Sequence, residues 1–345
     1  MFKLFFFITC CLLLSTTCLA NSSAVILQYH HVSEDTPVST SISPEMFKAH
    51  IQWIKENDFQ VVSLPKLIEK LQNKKQLNHS KVVALSFDDA NSSVCENAWP
   101  ILKRHQLPFT LFISTEAVEK NYQAQCSWSA LKEMYESGLM TPANHSHQHL
   151  NMVSHSLLKK PDWQTLMRQE VLQAQELIQQ RVGQASMLFA YPFGEYNIAL
   201  AQLITELGFT GFGQQSGAIG YQSDFSALPR FPASGQFANL ETLSTKLYSL
   251  AFPAKFLAST DNPIKLETEH NPPYLKIFAD DQNLLSHTNC YNSSGQALQI
   301  KLEDNFLRVS ASEKLDAGRH RYTCTSKSSV PGRFYWYSHQ WLIER

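Results

Sequence analysis

Apolar and polar positions along the first three quarters of the chain fall into two alternating patterns, one with the period of a buried strand and one with the period of an amphipathic helix. Residues 25–29 form a short apolar run that ends in His30-His31. Ser43-Pro44 then opens a helix with Phe47, Ile51 and Ile54 on one face, serine as cap and proline in the first turn. Val61-Val62 reads as a strand, and Leu64, Leu67, Ile68 and Leu71 as a second helix. Residues 82–87 are an uninterrupted apolar-rich strand that stops at Asp88-Asp89-Ala90. The alternation goes on with a helix over 97–105, a strand over 109–113, a helix over 129–136 and a strand-like run over 139–143. A long helix follows over 163–181, with Met167, Val171, Ala174 and Ile178 in line. A strand over 187–191 stops at Pro192-Phe193-Gly194, and a helix through Leu200, Leu203, Ile204 and Leu207 leads to a strand over 209–212. Leu228 to Phe231 is a last short apolar element, before a helix marked by Leu240, Leu243, Leu247 and Leu250. Strand and helix thus alternate seven or eight times, the signature of parallel strands joined by crossover helices.

The pattern changes near Asn262. Asn271-Pro272-Pro273 breaks the chain, and no helical period follows. Short alternating runs at 274–279, 297–302, 307–310, 319–323 and 333–337, with a hairpin turn at Asp304-Asn305, predict a small β-sandwich of about 80 residues. The expected division is a signal segment over 1–20, an α/β barrel over 24–258 and an accessory sandwich over 262–345. Tyr335, Trp336, Tyr337 and Trp341 read first as sandwich core plus an interface with the barrel, with Tyr335 and Tyr337 on one face as a sugar platform as the alternative.

Composition narrows the field of functions. With 29 basic and 30 acidic residues the net charge is −1, which argues against nucleic acid as a partner and against electrostatic attachment to a membrane. Lys3, an apolar run to Leu14 and small residues up to Ala20 read as a cleavable secretory signal, too short to span a bilayer, with an uncleaved anchor as the alternative. No later apolar run is long enough to span. The mature chain is therefore expected to be secreted or periplasmic. Cys95, Cys126, Cys290 and Cys324 would then sit in an oxidising compartment. Cys290–Cys324 is the favoured pair because both lie in a small sandwich, which leaves Cys95 and Cys126 either as a second bridge or as buried thiols.

The polar clusters follow predicted strands: His30, Asp88-Asp89, residues 145–149 and residues 191–194. Adjacent carboxylates ionise together only at a cost unless a cation is shared or one of them holds a proton. Asp88-Asp89 alone also suits a plain helix cap. His145 and His149 are four residues apart and can present both imidazoles to one ion, while His147 points elsewhere. Together with Asp89 they make a two-histidine, one-carboxylate set, which suits a hydrolytic Zn²⁺ site and, less well, a non-haem iron site.

Three segments taken in order, Ser86-Phe87-Asp88-Asp89-Ala90, His145-Ser146-His147-Gln148-His149 and Tyr191-Pro192-Phe193-Gly194, resemble the first motifs of the polysaccharide deacetylases, carbohydrate esterase family 4. The resemblance spans roughly residues 25–252 and implies a distorted (β/α)7-type barrel. It implies a divalent metal, Zn²⁺ first, on Asp89, His145 and His149, with Asp88 as general base. Gln28-Tyr29-His30-His31-Val32 resembles the opening of the branch that contains poly-β-1,6-N-acetylglucosamine deacetylases. After Phe209 the next histidine is His270, beyond the barrel, so the family's late acid histidine has no counterpart and His30 is the candidate acid. The arginine that commonly opens the third motif is also missing; Arg230 is the candidate replacement, with a plain surface arginine as the alternative. Tyr191, Pro192, Phe193, Gly194 and Trp128 are expected to line the substrate site. The implied reaction is hydrolysis of the acetamide of N-acetylglucosamine units in a polysaccharide or oligosaccharide. Peptidoglycan or chitin-oligomer deacetylation, an O-acetyl xylan esterase, or an inactive carbohydrate-binding protein on the same scaffold are the alternatives. Oligomeric state is not indicated by the sequence.

Overall fold

The computed structural model describes residues 23–122 and 124–345; the expected signal segment lies outside them. Seven parallel strands curl around a common axis. These are β1 (Ser23–Tyr29), β2 (Val82–Phe87), β3 (Phe109–Ile113), β4 (Met140–Asn144), β5 (Leu188–Ala190), β6 (Thr210–Phe212) and β7 (Phe231–Pro232). They pair in the order β7-β1-β2-β3-β4-β5-β6. The chain leading into β7 closes the curl, because Leu228 bridges Phe212 in parallel and exchanges backbone bonds with Gly211 and Gly213. This is the expected distorted (β/α) barrel. Its strands are short, five of the seven having five residues or fewer.

The two-residue period of a strand sorts the side chains. Ile26, Ala84, Phe112, Ala190, Phe212 and Leu228 share one apolar cluster. Leu27, Leu85 and Leu111 face the other way, onto Phe47, Ile51 and Ile54 of the helix Pro44–Glu56 and Leu102 of the helix Trp99–His105. By the same alternation Gln28, Ser86, Asp88 and Arg230 continue the face of Ile26, Ala84 and Leu228, where they are buried polar residues at the ends of the strands. Ser43 caps its helix as expected, its hydroxyl accepting from the Met46 amide.

The C-terminal part is a two-sheet sandwich. One sheet pairs β8 (Ser249–Ala251), β15 (Phe334–Glu344), β14 (Gly318–Lys327) and β11 (Asn289–Tyr291), with Ile264–Lys265 added to β15. The other runs β9 (Lys255–Ala258), β10 (Tyr274–Phe278), β13 (Phe306–Ser310), β12 (Gln299–Glu303). Leu275, Ile277, Val309, Tyr322 and Trp341 fill the space between them. Asp304-Asn305 is the expected hairpin turn between β12 and β13. Residues 249–258, which the sequence pattern groups with the barrel, give an edge strand to each sandwich sheet. β8 is three residues and β9 four, and their partners are distant in the chain, Phe334 for Ser249 and Phe278 for Lys255, so local pattern cannot assign them. Cys290 and Cys324 face each other in register and are bridged, and Cys95–Cys126 is the second disulfide. No helix among the described residues is long and apolar enough to cross a membrane.

Candidate active site

The polar clusters meet at the C-terminal ends of the parallel strands, where this class of fold gathers its reactive loops. β1 ends at His30, β2 at Asp88-Asp89, β4 at residues 145–149 and β5 at residues 191–194. Backbone bonds lock the strand ends to one another: the Asp88 amide donates to Tyr29 O and the His145 amide to Ile113 O. Among the described residues, five of the ten non-glycine residues with positive φ are here: Asp89, Ala90, Ser146, His149 and Phe193. Strain of this kind persists only where surrounding contacts enforce it. The 145–149 segment is an irregular turn rather than a helix, and its two left-handed residues, not helical spacing, bring the two imidazoles together.

Asp88 is fully buried and its carboxylate is held on three sides. Arg230 donates from Nη1 to Oδ1 at 2.6 Å and from Nη2 to Oδ2 at 2.8 Å, and Gln28 Nε2 donates to Oδ2 at 2.7 Å. Three of roughly four lone-pair positions are thus occupied, and the free one is on Oδ1. His30 Nε2 lies 3.9 Å from Oδ2. Burial alone would push the carboxyl up, but the Arg230 guanidinium and His145 outweigh it and hold Asp88 at about 2. Arg230 is itself completely buried, with Nε on Gly213 O and its guanidinium over the Phe112 ring. It is a core residue, not a surface one.

Asp89 faces the histidines. Its Oδ1 is 3.4 Å from Nε2 of both His145 and His149, and the three ligand atoms lie within 4.8 Å of one another. His145 Nδ1 donates to Ala190 O at 2.8 Å, which turns Nε2 toward Asp89, and this buried Nε2 has no hydrogen-bond partner. An orphaned nitrogen, a second imidazole and a carboxylate converging on one point fit a divalent cation. Burial pushes Asp89 up, but the nearby imidazoles, His145 first, outweigh it and hold the carboxyl below the usual carboxylate range. His149 is pushed down to about 4, first by burial and then by His145. His147 is turned away, on Thr115 and Gln173.

The third motif divides between lining and support. Phe193 is half-buried and packs edge-on against His149 at 4.6 Å. Gly194 needs its positive φ, and a Cβ there would meet Gln214 at 2.5 Å. Tyr191, expected to meet sugar, is a core residue: it is fully buried, its hydroxyl donates to Ser226 O and its ring stacks on Tyr196. Pro192 is buried too. Trp128 starts the helix Trp128–Glu136 and donates its indole N–H to Glu119.

Two features went unread in the sequence. Gln28 was visible next to the opening histidines, and period-two alternation from Ile26 was the signal that it faces inward. Arg319 of β14 carried no signal at all: it lies over the Phe193 ring at 5.6 Å and pairs with Glu195 at 2.6 Å, so the sandwich borders the site.

Residues 75–212 match the family described as polysaccharide deacetylase. The chain carries a polysaccharide deacetylase domain. It is 29% identical over 196 residues to the poly-β-1,6-N-acetyl-D-glucosamine N-deacetylase of Staphylococcus aureus (strain MSSA476), covering 55% of this chain and 67% of that one. The domain's fold is similar to that of the Streptococcus pyogenes deacetylase PplD, with a TM-score of 0.59 at 23% identity over 66% of this chain and 99% of that one. It is likewise similar to IcaB from Ammonifex degensii, with a TM-score of 0.56 at 23% identity over 63% and 94%. The matched part of the deacetylase domain holds Asp88, Asp89, His145, His149 and the third motif; His30 and Arg230 fall outside residues 75–212.

Proposed function

We propose that the protein is an exported, metal-dependent polysaccharide N-deacetylase that hydrolyses the acetamide of N-acetylglucosamine units, with a poly-β-1,6-linked glycan as first candidate substrate. The observation that carries this reading is the meeting of two sets at the same strand ends: Asp89, His145 and His149 as a cation site, and Asp88 with His30 beside it. The curated relatives and the two disulfides, which persist in oxidising compartments, support substrate and export respectively.

Asp89, His145 and His149 would hold the metal, which when bound polarises the acetyl carbonyl and acidifies a water. The residues of the chain divide the remaining work. Asp88, ionised throughout the physiological range, takes a proton from the attacking water through its free Oδ1 position. Arg230 and Gln28 fix the orientation of that carboxylate. The amides of Gly194 and Glu195 are committed to Tyr191 and Pro192 carbonyls, which leaves the Phe193 N–H for the developing oxyanion. His30 then gives a proton to the nitrogen as the C–N bond breaks, and acetate and a free amine leave.

The test is acetate release from defined β-1,6-linked N-acetylglucosamine oligomers, β-1,4-linked chitin oligomers, peptidoglycan and acetylxylan, each with and without a chelator. Release from the β-1,6 series that stops with chelator and returns with added metal is expected. Release only from acetylxylan, or none from any N-acetylated glycan with metal supplied, would overturn the reading.

A further inference from the structure

Away from the cation site, a cavity of about 400 Å³ lies between barrel and sandwich. Phe231, Pro232, Phe237 and Lys246 line it on the barrel side, and Arg321 and Trp336 on the sandwich side. Lys246 is only 5% exposed. Its ammonium donates to Pro232 O at 2.8 Å and Phe237 O at 2.7 Å, which leaves one of its three protons free. Arg321 Nε is buried and has no hydrogen-bond partner. Among the described residues neither cation is within salt-bridge distance of a carboxylate. Glu241 also borders the cavity but is exposed and bonds to neither.

Burial without an anion disfavours the charge on each of them. Burial pushes Lys246 down to about 7 and Arg321 below its ordinary value. An anionic group in the cavity would satisfy the orphan N–H and offset the buried positive charge. Phe231, Phe237 and Trp336 give the cavity an aromatic wall that suits the carbon frame of a small acid, beside hydroxyls and an amide from Ser216, Asn239, Thr242, Thr245 and Thr323.

We propose that this cavity is a binding site for a small organic carboxylate, held by Lys246 and Arg321. The carboxylate belongs either to a free acid or to an acidic sugar. The site backs onto the catalytic strands: Pro232 is opposite Gln28 in the β1–β7 ladder, and Gln28 bonds Asp88. Its occupancy is read by binding alone, so its test is independent of the deacetylase reading.

The experiment is calorimetric titration of the full chain, stripped of metal so that the cation site takes no carboxylate. The probes are acetate, benzoate and methyl glucuronide, with acetamide, benzamide and methyl glucoside as neutral counterparts. One-to-one binding of a carboxylate but not of its neutral counterpart is expected, weakened at least ten-fold in Arg321→Met and in Lys246→Met. Thr323→Phe keeps both charges and fills the cavity, and it abolishes binding even if the charge variants fold poorly. Binding of acetate or benzoate without glucuronide assigns a free acid; the converse assigns an acidic sugar. No binding of any carboxylate at 10 mM (roughly the weakest affinity that would matter for a small ligand), or undiminished binding in both Arg321→Met and Thr323→Phe, overturns the proposal.

Discussion

Arg230 and Asp88 are 142 residues apart in the chain and form a two-point ion pair, with both side chains fully buried. The planar guanidinium matches the carboxylate with two parallel bonds, which a lysine cannot reproduce. Arg230→Met leaves Asp88 as a buried charge with Gln28 as its one remaining side-chain hydrogen-bond donor. The expected loss is about 3–5 kcal/mol of stability, together with a fall in kcat on the order of 10²-fold from the misplaced base. Arg230→Lys should recover part of the stability and less of the activity. Denaturant melts and steady-state kinetics on both variants check this, and unchanged kcat in Arg230→Met would mean that the pair does not position the base. Asp88→Asn keeps the shape and removes the base, for an expected loss of about 10²–10⁴-fold in kcat.

The orphaned Nε2 of His145 sets an expectation for metal. Added Zn²⁺ or another divalent ion at about 100 times its Kd should stabilise the protein by roughly 2.7 kcal/mol, because it binds only the folded chain. Chelator reverses the shift, and His149→Ala or Asp89→Asn abolishes it. A thermal melt reads this without any substrate. Identical metal-induced shifts in wild type and both variants would place the ion elsewhere.

His50 gives a pH dependence far from the cation site. Its Nε2 donates to Ala238 O and its Nδ1 accepts from the Tyr29 hydroxyl, so the ring is held neutral. Burial lowers it first, the Ala238 carbonyl partly offsets this, and nearby Lys246 lowers it further, to about 4. The unfolded chain takes up a proton near pH 6.5 while the folded chain does not until about 4. Stability should therefore fall as pH drops through that window, by at most about 1.4 kcal/mol per pH unit from this residue. Melts of His50→Gln between pH 7 and 4 should show a shallower slope than wild type.

The Cys95–Cys126 bridge encloses a 31-residue separation, and the Cys126 amide donates to Ala90 O beside Asp89. Removing it with Cys95→Ser is expected to cost about 3–4 kcal/mol. Metal affinity should fall as well, since the Asp89-Ala90 turn loses its tether. Calorimetric metal titration of the variant distinguishes the two effects: unchanged affinity at lowered stability would confine the bridge to a structural role.

Arg319 is a positioning residue: it reaches Phe193 and Glu195 from the sandwich, not the reacting atoms. Arg319→Ala leaves the buried Glu195 without its partner and Phe193 without its cover. A rise in KM of several-fold with a smaller change in kcat is expected, since the chemistry of Asp88 and His30 is untouched. An equal fall in kcat and kcat/KM would instead point to a role in the chemical step.

The sequence by itself determined the barrel, because seven strands and their helices each bury a face, and a buried face leaves a period of two or 3.6 in the residues that form it. It also placed His30, Asp88-Asp89 and residues 145–149 at strand ends, and alternation from Ala84 already turns Asp88 inward. Tertiary structure alone decided three things. It put Arg230 on Asp88 across 142 residues, because the strand that carries it closes the barrel beside β1. It turned Tyr191 into core, since whether an aromatic near a site faces ligand or interior depends on which neighbours cover it, here Ser226 and Tyr196. And it brought Arg319 and Arg321 of one sandwich strand against the barrel, the first at the third motif and the second at a cavity with Lys246. Contacts between separately folded layers leave no periodic trace in either segment, so they are invisible until the layers are packed.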